Sequence, residues 1–562
     1  MAVGADEARM SKIERGEWLQ VLGWSAVILL VSSLPYLYGA LISSADAQFG
    51  GFIIGVEDGN SYLAKMRLGA TGGWQFHLFY TSEPHQGAYL FLFHLLLGKI
   101  AALSGLSPVL VYHLARIGGG FFLLVSIYRF AAFFTEMRPL RQLAFWLVGV
   151  GSGLGWLVML LGLLGRLGMP LDFYSPEAFI FLALFSLPHL LLAEGLLLWA
   201  ILLIWLAWET QKLRHALLAG LSLLGMTLIA AFYIVIAAAV IGVGWLLRRW
   251  QMRQTAGRPW AEAGLALLSF AISAPVPVYN AYVFTSNPVF KVWAEQNRIP
   301  SPPPFHYLLA FGPLLLLAIA GTWTEWRPGW ERDTWSQRRV LLVGWCVVVP
   351  LLVYIPFNLQ RRLTLGVQVP LSILAALGLW RLLFRHRRDG EAGGSETRDA
   401  MRRWRIVSAA LVALLAISNL LILVGAGMEV SRRAPPVFHT GAEVAAADWL
   451  AVHTIPGQVV LAAFETGNYL PTRMSGRVFA GHGPETVHSE AKREMLRRFF
   501  ADTDDAYRQK LLADYNVSYV VHGPAERALG DFSPAHAPYL RQVYDNGTVQ
   551  IYQVVNTGND SR

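Results

Sequence analysis

Long apolar runs dominate the chain, separated by short stretches rich in Arg and Lys. The runs fall at about 19–43, 108–134, 141–165, 177–207, 214–230, 232–248, 261–283, 305–322, 339–357, 363–384 and 405–427. Several exceed ~18 residues, the length at which an apolar helix crosses a bilayer. The pattern predicts an α-helical polytopic membrane protein with about eleven transmembrane helices. The stretch 214–248 is long for one span and short for two, with "AAFY" at 230–233 marking the turn. The apolar segment 86–105, "QGAYLFLFHLLLGKIAALSG", breaks the charge alternation if counted as a span. It reads as a helix lying in the interface or re-entering the membrane. The first run precedes the small residues "SADA" at 44–47. It is longer than the ~7–15-residue core of a signal peptide and is read as a retained first helix.

Charge sets the orientation. Arg138 and Arg141, Lys212 and Arg214, Arg248, Arg249 and Arg253, and Arg327, Arg332, Arg338 and Arg339 occupy alternate loops. So do Arg385, Arg387, Arg388, Arg398, Arg402, Arg403 and Arg405. The positive-inside rule places these loops and residues 1–18 in the cytoplasm. The loop 44–107 and the tail from 429 to 562 are then outside. That tail changes character. "VVLAAF" (459–464), "VSYVVHG" (517–523) and "VQIYQVV" (549–555) read as strands, and 489–502 and 505–515 as helices. The mixture predicts a small extracytoplasmic α/β domain. The stretch 389–400, "DGEAGGSETRDA", reads as a cytoplasmic linker.

Composition agrees with the run pattern. The 562 residues are 55% hydrophobic and 15% charged, where a soluble protein carries about 25% charge. The net charge of +9 lies mainly in short loops, where it fixes topology and gives no sign of a nucleic-acid partner. The single cysteine, Cys346, rules out an intrachain disulfide.

Four places carry candidate chemistry. Glu57 and Asp58 are adjacent acids in the first outer loop, suited to act as a general base or to hold a divalent cation. The sequence Asp58-Gly59-Asn60 is equally strong turn chemistry. The same loop holds His77, Glu83 and His85, placed to share a pocket with the acid pair. Within the spans, Arg116 with His113 one turn earlier is a candidate for a lipid phosphate, or for a structural pair with a neighbouring acid. His189 and Glu194 follow Pro188, a helix breaker. Arg361 and Arg362, with Gln360, lie on the outer side against the charge rule. Their guanidinium forks suit a phosphate on the outer leaflet, or the headgroups around them. The outer loop 285–308 is long and proline-rich, and offers Lys291, Gln296, Asn297 and Arg298 to a ligand.

This arrangement resembles the GT-C superfamily of membrane glycosyltransferases: a first span, an outer loop with an "ED" pair, interfacial helical material, many spans, and an outer C-terminal domain. It is most similar to the bacterial branch related to protein mannosyltransferases and to lipid A or oligosaccharide sugar transferases. The resemblance implies a bacterial plasma-membrane enzyme. It would move a sugar from a polyprenyl-phosphate donor to a glycan, lipid or protein acceptor, with inversion. It implies that an acid of the first outer loop, Asp58 or Glu57, is the catalytic base, and that Arg361 and Arg362 hold the lipid phosphate. A divalent cation is an open possibility. A transporter or flippase of a lipid-linked substrate, or a non-catalytic envelope assembly protein, would also need intramembrane His, Arg and Glu or an outer domain.

Overall fold

The computed structural model describes residues 11–251, 258–323, 334–384 and 394–555. Of the expected 389–400 linker, 389–393 lie outside them, and 394–400 are not a linker but the start of the helix Gly394–Ser431. The chain forms two compact units. One gathers residues 1–34, 113–279 and 299–425, and is helical. The other gathers 35–112, 280–298 and 426–562.

Among the described residues, seven helices are long and apolar enough to cross a membrane. They become eight if Pro259–Ser273 and Pro275–Ser286, bent by 49°, form one span. The difference from eleven runs has local causes. The run at 141–165 is not one helix: Arg138–Gly149 ends, and only the short helices Gly155–Leu160 and Leu164–Leu167 follow. After Gly149 the glycine-rich stretch 151–155 wraps a buried carboxylate. Asp172 Oδ2 accepts the Gly153 and Gly155 amides at 3.2 and 3.1 Å and the Ser152 and Ser418 hydroxyls at 3.2 and 2.7 Å. A Cβ at Gly155 would fall 2.1 Å from Asp172 Oδ1. The run at 177–207 is cut at Leu187, because Pro188 opens the helix Pro188–Thr210 in the first turn, where its missing N–H costs nothing. The stretch 214–248 divides into Leu213–Ile229 and Ile234–Gln251, joined by a 3₁₀ turn at Ala231–Tyr233. The segment 86–105 becomes Leu92–Ser104, 13 residues long.

Helix pairing in this first unit uses small residues. Cβ atoms at Gly378 and Gly321 would fall 1.8 Å from Leu317 O and 2.3 Å from Leu374 O, so the helices Pro304–Trp323 and Gln368–Phe384 meet backbone to backbone. Buried arginines are matched by acids: Arg141 with Glu17 at 3.2 Å, Arg248 with Glu262 at 3.2 Å, and Arg338 with Glu209 at 2.6 Å. Removing either member would strand a desolvated charge.

The second unit holds the sheets. Strand β1 (Ala47–Phe49) pairs antiparallel with β2 (Phe438–Thr440). A five-stranded sheet has β3 (Val459–Leu461) parallel to both β4 (Arg477–Val478) and β5 (Val517–His522). Strand β7 (Gln550–Val554) lies antiparallel between β5 and β6 (Leu540–Asp545). Strands β3, β5 and β7 and the helices Ser489–Ala501 and Asp505–Asp514 lie where the sequence pattern puts strands and helices. Strands β4 and β6 are additions, the first too short to show a period and the second mixed in polarity. Phe479, Leu496, Phe499, Phe500, Leu512 and Val520 form the core against the sheet.

The Gly378 contact generates a test. Gly378→Leu drives a side chain into Leu317 and should lower stability in detergent by at least about 1–3 kcal/mol. Gly118→Ala, with nothing within 4 Å of the new Cβ, should leave the thermal midpoint in place.

Candidate functional site

The helix Val56–Ala70 starts after Gly55, whose φ of 62° lies in the left-handed region. Glu57 and Asp58 occupy its first turn, where the helix dipole favours negative charge. The turn expected at Asp58-Gly59-Asn60 is therefore absent. Gly59 serves close packing: a Cβ there would fall 2.3 Å from the Phe52 ring.

The first turn faces a loop that the sequence reading missed, "GHGPET" at 481–486. Asp58, its side chain 58% exposed, meets His482, 4% exposed, with Oδ1 3.2 Å from Nε2. The Glu485 amide donates to His482 Nδ1 at 3.2 Å. The neutral ring therefore carries its proton on Nε2 and donates it to Asp58. Burial disfavours the imidazolium, but the Asp58 hydrogen bond and the Glu485 and Asp58 charges outweigh it, and the His482 pKa is raised. Glu57 Oε1 accepts the Gly483 amide. Asn468 accepts from Asn60 at 2.8 Å and donates to Glu57 O at 3.2 Å.

Beneath this layer lies a buried ion pair. Lys65 Nζ is 2.6 Å from Glu485 Oε1, with side chains 1% and 5% exposed. Ser61 donates to the same oxygen at 2.6 Å. Lys65 also lies over the rings of Phe91 and Phe76, at 4.4 and 5.0 Å. Burial opposes ionisation of Glu485, and the Lys65 charge, with His482 and Ser61, brings its pKa below the ordinary carboxylate value. Thr486 Oγ1 accepts the Gly481 and His482 amides, both at 3.2 Å. Gln296 closes the loop from another side. Its amide donates to Pro484 O and Thr486 O at 2.8 and 2.6 Å, and its oxygen accepts from His488 N at 3.2 Å.

Several of the expected ligand residues have partners within the protein. Gln296 is committed to the 481–488 loop, as above. Asn297 caps the helix Pro288–Gln296, and the exposed Arg298 donates to Glu295 O. Lys291 lies exposed on that helix. Glu83 does not join the acid pair: it pairs with buried Lys492 at 2.7 Å and binds Thr81. Burial, partly offset by Glu83, brings the Lys492 pKa down to about 8. His85 uses both nitrogens locally, accepting Leu78 N–H on Nε2 at 2.9 Å and donating from Nδ1 to Glu83 O at 2.8 Å. His77 packs against Phe79, and burial with the neighbouring His85 and Arg477 charges lowers its pKa to about 4.

In the helical unit, Arg116 is 1% exposed. It donates to Leu184 O at 2.7 Å, Ser33 at 2.8 Å, His113 at 3.2 Å and Ser32 at 3.4 Å. This is a clamp between helix segments, and a phosphate would have to displace these bonds. Glu194 is fully buried with neither oxygen hydrogen-bonded. Arg362 meets Glu177 at 3.5 Å. Arg361 lies over the Tyr174 ring at 4.6 Å, and its buried Nε has no hydrogen-bond partner. Among the described residues, no group of three or more His, Cys, Asp or Glu side chains gathers in a metal-holding arrangement.

The missed loop left a weak trace in the sequence, a histidine flanked by glycines and followed at once by Pro-Glu-Thr. Its partner helix lies 424 residues earlier in the chain, beyond the reach of any local pattern. The buried pair under the loop makes a prediction. Lys65→Met leaves Glu485 buried and unmatched and should cost about 3–5 kcal/mol. Adding Glu485→Gln should recover part of that loss. Thermal unfolding of the two variants in detergent checks both.

No family model matches the chain, and no curated relative matches it. Solved structures do. The archaeal oligosaccharyltransferase AglB from Archaeoglobus fulgidus, in complex with an inhibitory peptide and a dolichol-phosphate, matches with a TM-score of 0.54 at 12% identity over 97% of this chain and 75% of that one. The arabinofuranosyltransferase AftD from Mycobacteria matches with a TM-score of 0.55 at 17% identity over 98% of this chain, which spans only 41% of AftD. At these identities the likenesses show the fold alone: over its length the chain shares the fold of AglB and of part of AftD.

Proposed function

We propose that the protein transfers a sugar from a polyprenyl-phosphate donor to an acceptor hydroxyl, on the outer side of the membrane, with Asp58 as general base. The observation that carries this reading is an exposed carboxylate held from behind by a buried, proton-donating histidine. AglB, with its dolichol-phosphate and peptide, supports the choice of donor class. In the proposed step Asp58 takes the acceptor's hydroxyl proton. The acceptor oxygen bonds to the anomeric carbon, and the bond from that carbon to the phosphate oxygen breaks. The polyprenyl phosphate leaves with the electron pair. Attack opposite the leaving group inverts the centre. The glycan, lipid or protein acceptor offers only its hydroxyl to this chemistry.

Glu57 is assigned a supporting role, because one of its oxygens already accepts the Gly483 amide. In the helical unit, Arg361 is assigned to the donor phosphate ahead of Arg362, whose charge already faces Glu177. Arg116 has its donors occupied and is left out.

Proteoliposomes supplied with short-chain polyprenyl phosphoryl hexoses and pentoses, with release of polyprenyl phosphate measured, test the reading. Loss of a general base costs about 10²–10⁴-fold, so Asp58→Asn should fall by that factor while remaining folded, and Glu57→Gln should fall less. Full activity of Asp58→Asn would sink the assignment. Loss of a charge-assisted hydrogen bond costs about 1.5–3 kcal/mol. Arg361→Ala should therefore weaken the response to donor about ten- to a hundredfold, with Arg362→Ala milder and Arg361→Lys intermediate.

The orientation is tested separately. With Cys346 replaced by Ser, cysteines at the exposed positions Thr71 and Ser533 should react with an impermeant thiol reagent in intact cells. Protection of both would reverse the topology.

A further inference from the structure

We infer that His482 is a positioning residue for Asp58, fixing the carboxylate's orientation and its ionised form through the Nε2–H to Oδ1 hydrogen bond. This rests on the reading of Asp58 as the base and adds a second residue to it.

Three observations carry the assignment. His482 is buried while Asp58 is exposed, so the ring supports the carboxylate from behind without reaching solvent itself. The ring's second nitrogen accepts the Glu485 amide at 3.2 Å, which selects the tautomer able to donate to Asp58. The imidazole is held at several points. Thr486 accepts its backbone amide, the Tyr80 ring lies 5.4 Å away, and Gln296 fastens the loop on either side of Thr486. A histidine serving only to fill space would need neither a fixed tautomer nor a carboxylate at its tip. Among the described residues, the charged and titratable groups facing the pair include Glu57 and Lys65 from the Val56–Ala70 helix, Glu485 from the histidine's own loop, and Tyr80 from the segment between the helices. The direct contact of the ring is to Asp58, while the Glu485 charge, itself paired with Lys65, adds to the negative field at the imidazole.

The test needs no turnover. Water-soluble carbodiimide with an amine nucleophile modifies carboxyl groups in their protonated form, and peptide mass spectrometry reads each site as pH is varied. The full chain in detergent is labelled as wild type, His482→Ala and His482→Gln, with exposed Glu494 as the reagent control. Removing a hydrogen bond to a charged group shifts titration by about one pH unit or more. In His482→Ala the Asp58 labelling profile should move to higher pH by that amount. In His482→Gln, whose amide can donate from near the Nε2 position, most of the shift should be reversed. Glu494 should not move. An unchanged Asp58 profile in His482→Ala overturns the assignment. Equal shifts in the two variants also overturn it, because the hydrogen bond would then not be the cause. Because the readout is independent of sugar transfer, a failed transferase reading and a failed His482 assignment give different results.

Discussion

The site depends on one constraint, that Lys65 and Glu485 are both withdrawn from water and each must answer the other's charge. A desolvated pair of this kind adds little net stability, yet losing one member is costly. Its effect is to specify a contact. The Val56–Ala70 helix has no freedom to slide or rotate against the 481–486 loop without uncovering a charge. Ser61 lies one turn before Lys65 on the same face and donates to the same carboxylate oxygen, which fixes the rotation. With the rotation set, the first turn of the helix comes to His482 and Gly483, and Asp58 and Glu57 meet them.

Close backbone approach completes the same contact. A Cβ at Gly467 would fall 2.1 Å from Ala480 O, and one at Gly481 would fall 2.4 Å from Gly467 C. Two glycines therefore let the Phe464–Tyr469 helix lie directly against the start of the histidine loop. Asn468, one residue beyond, then reaches both Asn60 and Glu57 O. The polar layer is satisfied because the backbone can come close, and the backbone comes close because those positions lack side chains.

The sequence carried some of this in readable form. The acid pair stands out locally, since adjacent carboxylates after an apolar run are uncommon in so hydrophobic a chain. Strands β3, β5 and β7 show as β-branched runs, and the long spans show by length alone. The partners of Asp58 do not show, because hydrophobic period and turn chemistry report on a few neighbouring residues and this contact joins positions 424 apart. Local rules also misled at Gly59, where a glycine required by the Phe52 ring inside a helix has the same appearance as a turn glycine. The run at 141–165 reads as one apolar span because its interruption depends on the buried carboxylate of Asp172, which binds Ser152, Gly153 and Gly155 and leaves no local trace there. Glu83, His85 and Gln296 have the residue types of ligand groups. Only their burial and their partners show that they fasten loops.

The membrane-helical unit follows the same rule, and its exceptions are informative. Charge in an apolar setting is expensive, and here Arg141, Arg248 and Arg338 are each answered by an acid, while Arg116 is answered by hydroxyls, a carbonyl and a ring nitrogen. Asp172 is answered by two amides and two hydroxyls. Against that background two groups differ. Arg361 has an aromatic face beside it and no acid within ion-pair distance among the described residues. Glu194 has neither oxygen hydrogen-bonded. Leaving these polar atoms without partners adds nothing to stability. Their desolvation cost is the physical ground on which the proposed reading assigns Arg361 to a ligand's charge.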